Sequence, residues 1–318
     1  MDSNYYTTKE ASEGSLIDLV IPVYNGAALL KAREQELFEL AEKNPDLRIF
    51  VVDDGSEDDF AGAVEALTRH QRVIAITLSE NGGRAVARNA GAFAGSAPFI
   101  CFVDVDCKPC EDWVRILRDA VRRGRQFVFG RVECIEQTFW SRYVNDVYRS
   151  REAGARHDGA NMSSQIFMVR RYHFENCGGF FEGYRYYGFE DRDLFNRLVA
   201  NEGLEPVLCK SLVVRHEPEI GPDAICRKMY IGGKYSAGVY AERFPTSYRQ
   251  SDYWYFDFRQ HGRVFVAGLA IMLCLYEPLL KLPADFYNSK LFPYVFRKYT
   301  AKLLFALCFA RGTRDSSR

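Results

Sequence analysis

The sequence lacks an excess of charge of either sign. Its 42 Lys and Arg residues are balanced by 42 Asp and Glu residues, and the formal net charge is +0. Proteins that bind nucleic acid usually carry a basic excess, so we expect no nucleic-acid partner. The segment Asn81–Arg88 also lacks the G-x-G-x-x-G fingerprint and the Walker pattern. Their absence argues against binding of a dinucleotide or of ATP in a P-loop.

The N-terminal residues lack the apolar stretch of a signal peptide. Residues 1–14 are polar, and we therefore expect a cytoplasmic protein. The nine cysteines are odd in number and scattered, which favours reduced thiols over a disulfide framework. Cys107 and Cys110 form a C-x-x-C pair, but no second pair at zinc spacing accompanies it. We interpret the two as ordinary loop cysteines, with a zinc or redox role as the alternative.

Short apolar runs alternate with helical patterns in the first third of the chain. With 47% hydrophobic residues among 318, the chain can bury at least one sizeable core. The patterns predict strands at 16–23, 48–52, 73–78 and 98–103, and helices at 27–43, 59–69 and 84–94. Such alternation indicates an α/β fold built from βαβ units, with a mostly parallel sheet covered on both faces.

Polar residues follow each predicted strand at its carboxyl end. Ligands of open α/β sheets bind beyond the carboxyl ends of the strands, so we expect these polar segments to meet at one edge. The segments are Pro22–Asn25, Asp53–Ser56, Asn81–Gly83 and Asp104–Asp106.

Asp104 and Asp106 form a D-x-D sequence after the fourth strand. Strand alternation places both carboxylates on one side, where they repel each other unless a cation lies between them. Mg²⁺ and Mn²⁺ favour oxygen ligands and often share them with phosphate. The pair therefore predicts a metal that neutralises charge on a leaving nucleotide, with a solvated acidic turn as the alternative.

Two further groups at this edge suit a nucleotide. Asp53 and Asp54 can accept from a base N–H or a ribose hydroxyl, or can serve as helix cap and turn residues. Arg84 and Arg88 share one face at the start of a helix, where they suit a diphosphate. The alternative for the arginines is a solvated face paired with Glu80.

Glu190 and Asp191 begin a predicted helix at 190–201. The helix dipole favours acids in this first turn, which is a sufficient structural reason for them. The functional alternative is that one carboxylate takes a proton from an acceptor hydroxyl, because the preceding aromatic residues can stack on a sugar. His216, at the end of a later strand, either completes a metal shell or has a structural role.

Together these motifs resemble those of the GT-A glycosyltransferases of family 2. The resemblance extends from about Leu16 to His216, and the motifs occur in the order found in that family. They are Ile21–Asn25, Val52–Ser56, Ala87–Gly91, Asp104–Pro109 with Trp113, and Gly178–Phe180 followed by Glu190–Leu194. The resemblance implies the Rossmann-like fold of nucleotide-diphospho-sugar transferases.

The resemblance also implies a role for each matching site residue. It implies that the nucleoside is held by Pro22, Tyr24 and Asp54. Arg88 would approach the diphosphate, and Asp104 would lie near the ribose and the metal. It further implies that the metal is coordinated by Asp106 and, as in some relatives, by His216. Asp191 would be the catalytic base of an inverting displacement, and Glu190 would help to hold the acceptor.

The function implied by the resemblance is transfer of a hexose or N-acetylhexosamine from a nucleotide sugar to a hydroxyl group. A UDP-sugar is the favoured donor, the acceptor is a saccharide or a lipid-linked molecule in polysaccharide biosynthesis, and the cofactor is Mn²⁺ or Mg²⁺. Two alternatives stay open. They are a nucleotidyltransferase and a catalytically inactive partner that binds nucleotide sugars.

The C-terminal part of the chain predicts a separate helical region. We expect a flexible N-terminus at 1–15, a GT-A catalytic domain at 16–222 and a helical region at 223–318. Residues 281–318 carry a net charge of +6, and the apolar runs at 264–280 and 291–310 are interrupted. A basic amphipathic surface at the inner face of the cytoplasmic membrane is one interpretation, and packed helices or a dimer contact are another. The third, a spanning helix at 264–280, is marginal, because a span needs about 20 apolar residues.

Overall fold

The structure, a computed structural model, describes residues 16–135, 138–154, 162, 164–216, 221–282, 284–289 and 291–316. The predicted flexible N-terminus, residues 1–15, lies outside the described residues. The chain divides into two compact units. The described residues of Met1–Glu133, Tyr148–Arg185 and Glu190–Glu217 form the first unit, and those of Cys134–Val147, Tyr186–Phe189 and Pro218–Arg318 form the second.

The first unit contains one eight-stranded mixed sheet, with the order β3-β2-β1-β4-β7-β6-β8-β5. Its strands are β1 Ile17–Val23, β2 Leu47–Asp53, β3 Val73–Thr77, β4 Phe99–Val103, β5 Cys107–Pro109, β6 Phe127–Glu133, β7 Ile166–Arg170 and β8 Val207–His216. Among the described residues, four strand pairings are parallel and three are antiparallel. The predicted α/β fold with a mostly parallel sheet is therefore confirmed.

Both faces of this sheet are covered, as the continuously apolar strands predicted. Ile17, Leu19 and Ile21 of β1 belong to one hydrophobic core, whereas Val20 belongs to another. Successive residues of a strand point to opposite faces, so a strand buried on both sides must be apolar at nearly every position.

The helices between Ala27 and Ala200 differ from the predictions at two places. The helices from Ala27 to Ala200 are α1 Ala27–Ala32, α2 Glu34–Lys43, α3 Phe60–Val64, α4 Arg84–Ala94, α5 Trp113–Arg122, α6 Phe139–Gly154, α7 Arg171–Asn176 and α8 Glu190–Ala200. The single helix predicted at 27–43 is wrong, because Arg33 interrupts it and donates to the Val105 carbonyl at 3.2 Å. The helix predicted at 59–69 is a short α3 followed by a 3₁₀ turn at Leu67–Arg69.

The second unit is helical, and its helices confirm the predicted helical C-terminal region. They are α9 Pro222–Ile231, α10 Ala237–Arg243, α11 Pro245–Arg249, α12 Arg263–Met272, α13 Tyr276–Leu280, α14 Ala284–Asn288 and α15 Tyr294–Ser316. A π-helical turn, Gly232–Ser236, lies between α9 and α10. In the later part of α15, Leu304, Leu307 and Phe309 are buried, so this part of the predicted amphipathic surface is packed.

Candidate active site

The nucleoside end of the predicted site lies at the carboxyl ends of β1 and β2. The Asp53 carboxylate accepts from the Ser56 backbone N–H at 2.9 Å, the turn role that the sequence allowed. The neighbouring Asp54 carboxylate accepts from the Gly82 N–H at 2.9 Å. Pro22 occupies β1, and the Tyr24 side chain just beyond is 49% exposed. The roles of Pro22, Tyr24 and Asp54 toward a nucleoside stay predictions.

The carboxyl group of Asp54 has a raised pKa. Burial raises its pKa to about 6, and the Asp53 charge adds to this effect, while backbone N–H donors of the Gly82–Gly83 turn oppose it. The carboxylate is therefore mostly ionised at neutral pH and becomes protonated as the pH falls through about 6. An ionised Asp54 can accept a hydrogen bond from a base N–H.

Only glycine fits at position 83, directly before α4. Gly83 has a φ of +89°, and a Cβ atom there would lie 2.8 Å from the Arg185 carbonyl oxygen. Both the left-handed conformation and the close approach exclude a side chain. The glycine thus lets α4 begin against the chain at Arg185, and α4 carries Arg88.

Arg88 joins two of the predicted site carboxylates. Its guanidinium donates to Asp104 at 2.8 Å and to Glu190 at 3.4 Å, and it lies over the Phe180 ring at 5.3 Å. The side chain is fully buried, so the alternative of a solvated face paired with Glu80 is wrong for Arg88. A guanidinium held in this way aligns both acids, and its approach to a diphosphate stays a prediction.

The two D-x-D carboxylates do not share one side of a strand. Residues 104–106 form a turn after β4, closed by the Cys107 N–H donating to the Asp104 carbonyl at 3.0 Å. Asp104 turns to Arg88, whereas Asp106 accepts from His216 at 3.0 Å. The expectation from strand alternation is thus corrected, because each carboxylate has its own partner.

His216 reaches Asp106 through the pairing of two strands. In the antiparallel register of β5 and β8, Cys107 lies opposite His216. The other ring nitrogen, Nδ1, is 2.9 Å from the Tyr148 hydroxyl, which accepts from Gln165 at 2.8 Å. No local pattern in the sequence points to Tyr148 or Gln165, although both fix the orientation of the imidazole ring.

The donor set around Asp106 fits a divalent metal ion. One ligand atom each from Asp106, Cys107 and His216 lies within 4.8 Å of the others. Burial raises the pKa of Asp106, but the hydrogen bond and charge of His216 outweigh this effect and bring the pKa to about 2. Cys107 is buried in β5 rather than placed in a loop, which corrects that expectation.

Glu190 and Asp191 begin α8, as predicted, and have different surroundings. Glu190 is buried, and burial together with the Asp191 charge raises its pKa above the usual range, while Arg88 opposes the shift. Asp191 is partly exposed. It accepts from the Ser164 hydroxyl at 3.3 Å and from the Arg192 N–H at 2.8 Å. Asp191 is therefore the carboxylate that solvent or an acceptor can reach.

Asn89 holds the turn that follows the Gly178–Gly179 pair. Its side-chain amide donates to the Phe180 carbonyl at 2.9 Å and accepts from the Phe180 N–H at 2.8 Å. The same amide donates to Glu182 at 2.9 Å. The motif containing Asn89 was visible in the sequence, but this positioning role was missed, because the partner lies 91 residues away.

The fold and the site together define a transferase that uses a nucleotide sugar. The sequence model of Glycosyl transferase family 2 matches residues 18–191, more than half of the chain. The chain belongs to this family of glycosyltransferases. The resemblance inferred from the motifs is confirmed, and the nucleotidyltransferase alternative is not supported.

Relatives in the family match a limited part of the chain. Validoxylamine A glucosyltransferase of Streptomyces hygroscopicus subsp. jinggangensis is 37% identical over 90 residues, which are 28% of this chain and 21% of that protein. Pre-mycofactocin glycosyltransferase of Mycobacterium tuberculosis is 34% identical over 106 residues, which are 32% and 20% of the two chains. The matches thus span about a fifth of the length of these relatives.

A solved structure shares the fold over nearly the whole chain. It is the mannosyltransferase PcManGT from Pyrobaculum calidifontis in complex with GDP-Man and Mn²⁺. The match covers 96% of this chain and 90% of that chain, with a TM-score of 0.58 and 16% identity. It confirms the predicted GT-A fold, in which a divalent metal is typical.

Proposed function

We propose that the protein is an inverting glycosyltransferase that transfers a hexose or N-acetylhexosamine to a hydroxyl of a saccharide or lipid-linked acceptor in polysaccharide biosynthesis. The observation that carries the proposal is the Arg88 guanidinium, which joins Asp104 and Glu190. Asp104 belongs to the part of the site that is predicted to bind the donor. Glu190 directly precedes Asp191, the predicted base. A buried pair of this kind fixes both groups before substrate binds.

In the proposed reaction, Asp191 receives the proton of the acceptor hydroxyl while the acceptor oxygen bonds to the anomeric carbon. The bond from that carbon to the nucleotide oxygen breaks with inversion, and the electron pair leaves with the nucleoside diphosphate. The two hydrogen bonds that Asp191 accepts hold its carboxylate in one orientation, and a carboxylate is the form of the side chain that can take a proton.

Asp106 and His216 would hold a divalent ion. On binding it, Nε2 of His216 would lose the proton that it donates to Asp106, and the Nδ1 proton would be donated to the Tyr148 hydroxyl. When bound, the ion supplies positive charge that stabilises the departing diphosphate. An imidazole ligand favours a transition ion such as Mn²⁺ over Mg²⁺.

The donor should be identified by a thermal-shift panel of nucleotide sugars with Mn²⁺. Because the solved relative binds GDP-Man, the panel contains GDP-mannose beside the favoured UDP-sugars. A donor present at 100 times its Kd stabilises the fold by about 2.7 kcal/mol, which should raise Tm measurably. Release of nucleoside diphosphate with a saccharide acceptor would confirm transfer. Stabilisation without release across a broad acceptor panel would favour the inactive partner instead.

We also propose that the second unit contacts the inner face of the cytoplasmic membrane. The segment Arg263–Leu280 is long and apolar enough to cross a bilayer, and only 6% of it is buried. Val264 is 90% exposed and Ile271 is 71% exposed. Arg263 and Lys281 flank the segment, where their charges suit anionic headgroups. An acceptor linked to a lipid would then share this surface.

Vesicle flotation tests the membrane proposal. The protein should float with anionic vesicles, and the Val264→Glu/Ile271→Glu variant should lose most of this binding, because two charges then enter the apolar layer. Binding through apolar insertion should largely persist at 1 M salt, where the Debye length is about 3 Å. The control is Tyr172→Glu, an exposed aromatic residue of the first unit. Unchanged flotation of the double variant would contradict the proposal.

A further inference from the structure

Two tyrosine rings of the second unit stack on each other at the surface. The ring centroids of Tyr186 and Tyr235 are 4.0 Å apart, and the ring planes differ by 20°. Tyr186 is 53% exposed and Tyr235 is 40% exposed. The proposed reaction uses neither ring. The pair thus forms a continuous aromatic surface for which the transfer steps described above give no reason.

The backbone beneath the pair is held in place. The buried Ser236 hydroxyl donates to the Tyr187 carbonyl at 3.0 Å and approaches the Tyr186 carbonyl at 3.4 Å. Tyr235 itself belongs to the π-helical turn Gly232–Ser236. Turns of this type are rare and frequently lie at functional sites.

Phe189 shows that the segment carrying Tyr186 is also constrained. Its φ is +72°, a conformation that is unfavourable for a bulky side chain and persists only when the surroundings enforce it. The Phe189 ring packs against Tyr240 and Tyr253, each with a centroid distance of 5.1 Å. The four-residue segment Tyr186–Phe189 is therefore fixed at both ends within the second unit.

One lysine side chain borders the aromatic surface, and a second lies over the ring of Tyr187, the next residue after Tyr186. The Lys234 ammonium lies 5.1 Å from the Tyr235 ring centroid and 5.7 Å from that of Tyr230. The Lys228 ammonium lies 5.5 Å from the Tyr187 ring centroid. Each ammonium group carries three hydrogen-bond donors beside an aromatic face. Aromatic faces next to polar donors suit a ligand that has both a C–H face and hydroxyl groups.

We propose that Tyr186 and Tyr235 form a binding site for a pyranose ring of the acceptor, with Lys234 donating to its hydroxyls. The proposal rests on the proposed glycosyl transfer. The partly positive C–H bonds of a pyranose face are attracted to the negative face of an aromatic ring. Tyr186 also precedes Asp191, the proposed base, by only five residues in the chain.

The test measures binding of methyl glycosides by saturation-transfer NMR with the full chain. The probes are the methyl α- and β-glycosides of glucose, galactose, mannose and N-acetylglucosamine. At least one should bind the wild type. Tyr186→Ala and Tyr235→Ala should each weaken that binding by about three- to tenfold, since each removes one stacking ring. Tyr186→Phe and Tyr235→Phe keep the rings and should bind within about twofold of the wild type.

Measuring donor binding distinguishes a failure of this inference from a failure of the proposed function. The thermal shift caused by the nucleotide sugar should be the same in the wild type and in all four variants. The site is overturned if no methyl glycoside binds the wild type, or if the alanine variants bind as well as it does. The proposed function fails instead if no nucleotide sugar stabilises the wild type, whatever the glycosides do. Matching melting temperatures of the alanine and phenylalanine variants show that folding is intact.

Discussion

Replacing Asp191 by asparagine should abolish glycosyl transfer and leave donor binding almost unchanged. The amide has nearly the shape of the carboxylate and can still accept from Ser164 and Arg192, but it cannot take the acceptor proton. General-base catalysis typically contributes 10²–10⁴-fold, so kcat should fall by about this factor. The measurements are the rate of nucleoside diphosphate release with acceptor present and the thermal shift produced by the donor.

Two further variants show whether the effect belongs to Asp191. Asp119→Asn makes the same chemical change on α5, where Asp119 pairs with Arg115 and Arg122 at the surface, and should keep normal turnover. Glu190→Gln tests the neighbouring acid, which is buried against Arg88, and should affect acceptor use more than proton transfer. Near-normal turnover in Asp191→Asn would exclude Asp191 as the base.

The elements with strong local patterns could be predicted from the sequence. The strands around Val20 and Phe102 are apolar at nearly every position, which is the pattern of a sheet buried on both faces. The helix α4 follows from the Gly82–Gly83 turn and an alanine-rich run, and its bounds agree with the prediction. Asp104 and Asp191 could be selected as candidates because polar residues directly after a strand or at the start of a helix stand out against apolar neighbours.

Contacts between distant parts of the chain could not be predicted. His216 meets Asp106 only because β5 and β8 pair in one register, across 110 residues. The burial of Arg88 could not be predicted, because it depends on Glu190, 102 residues away. Arg33 ends α1 through a long-range bond to Val105, whereas the helical pattern of 27–43 continues through it. Local periodicity carries no information about such partners.

The division into two units also has no local signal. Residues 186–189 belong to the second unit, although motifs on both sides of them belong to the first. The sequence indicated only that this stretch is rich in tyrosine. Its assignment depends on contacts with residues such as Ser236 and Tyr240, which follow about 50 residues later.

Asp106→Asn should remove both the response to Mn²⁺ and most of the transfer activity. The Asp106 carboxylate and the His216 imidazole are the two ligands proposed for the ion, and their atoms are already 3.0 Å apart. A neutral amide is a much weaker ligand than a carboxylate for a divalent ion. Because the ion would stabilise charge on the leaving group, we expect kcat to fall by at least about 10²-fold.

Metal removal provides the matching measurement for this variant. EDTA should lower wild-type turnover to the level of Asp106→Asn and should have little further effect on the variant, because both treatments remove the same ion. The Mn²⁺-dependent thermal shift, recorded without donor, should be present in the wild type and in Asp119→Asn but absent in Asp106→Asn. His216→Asn should weaken the shift less, since the carboxylate remains. A normal Mn²⁺ shift in Asp106→Asn would place the metal elsewhere, and the assignment of Asp106 and His216 as its ligands would fail.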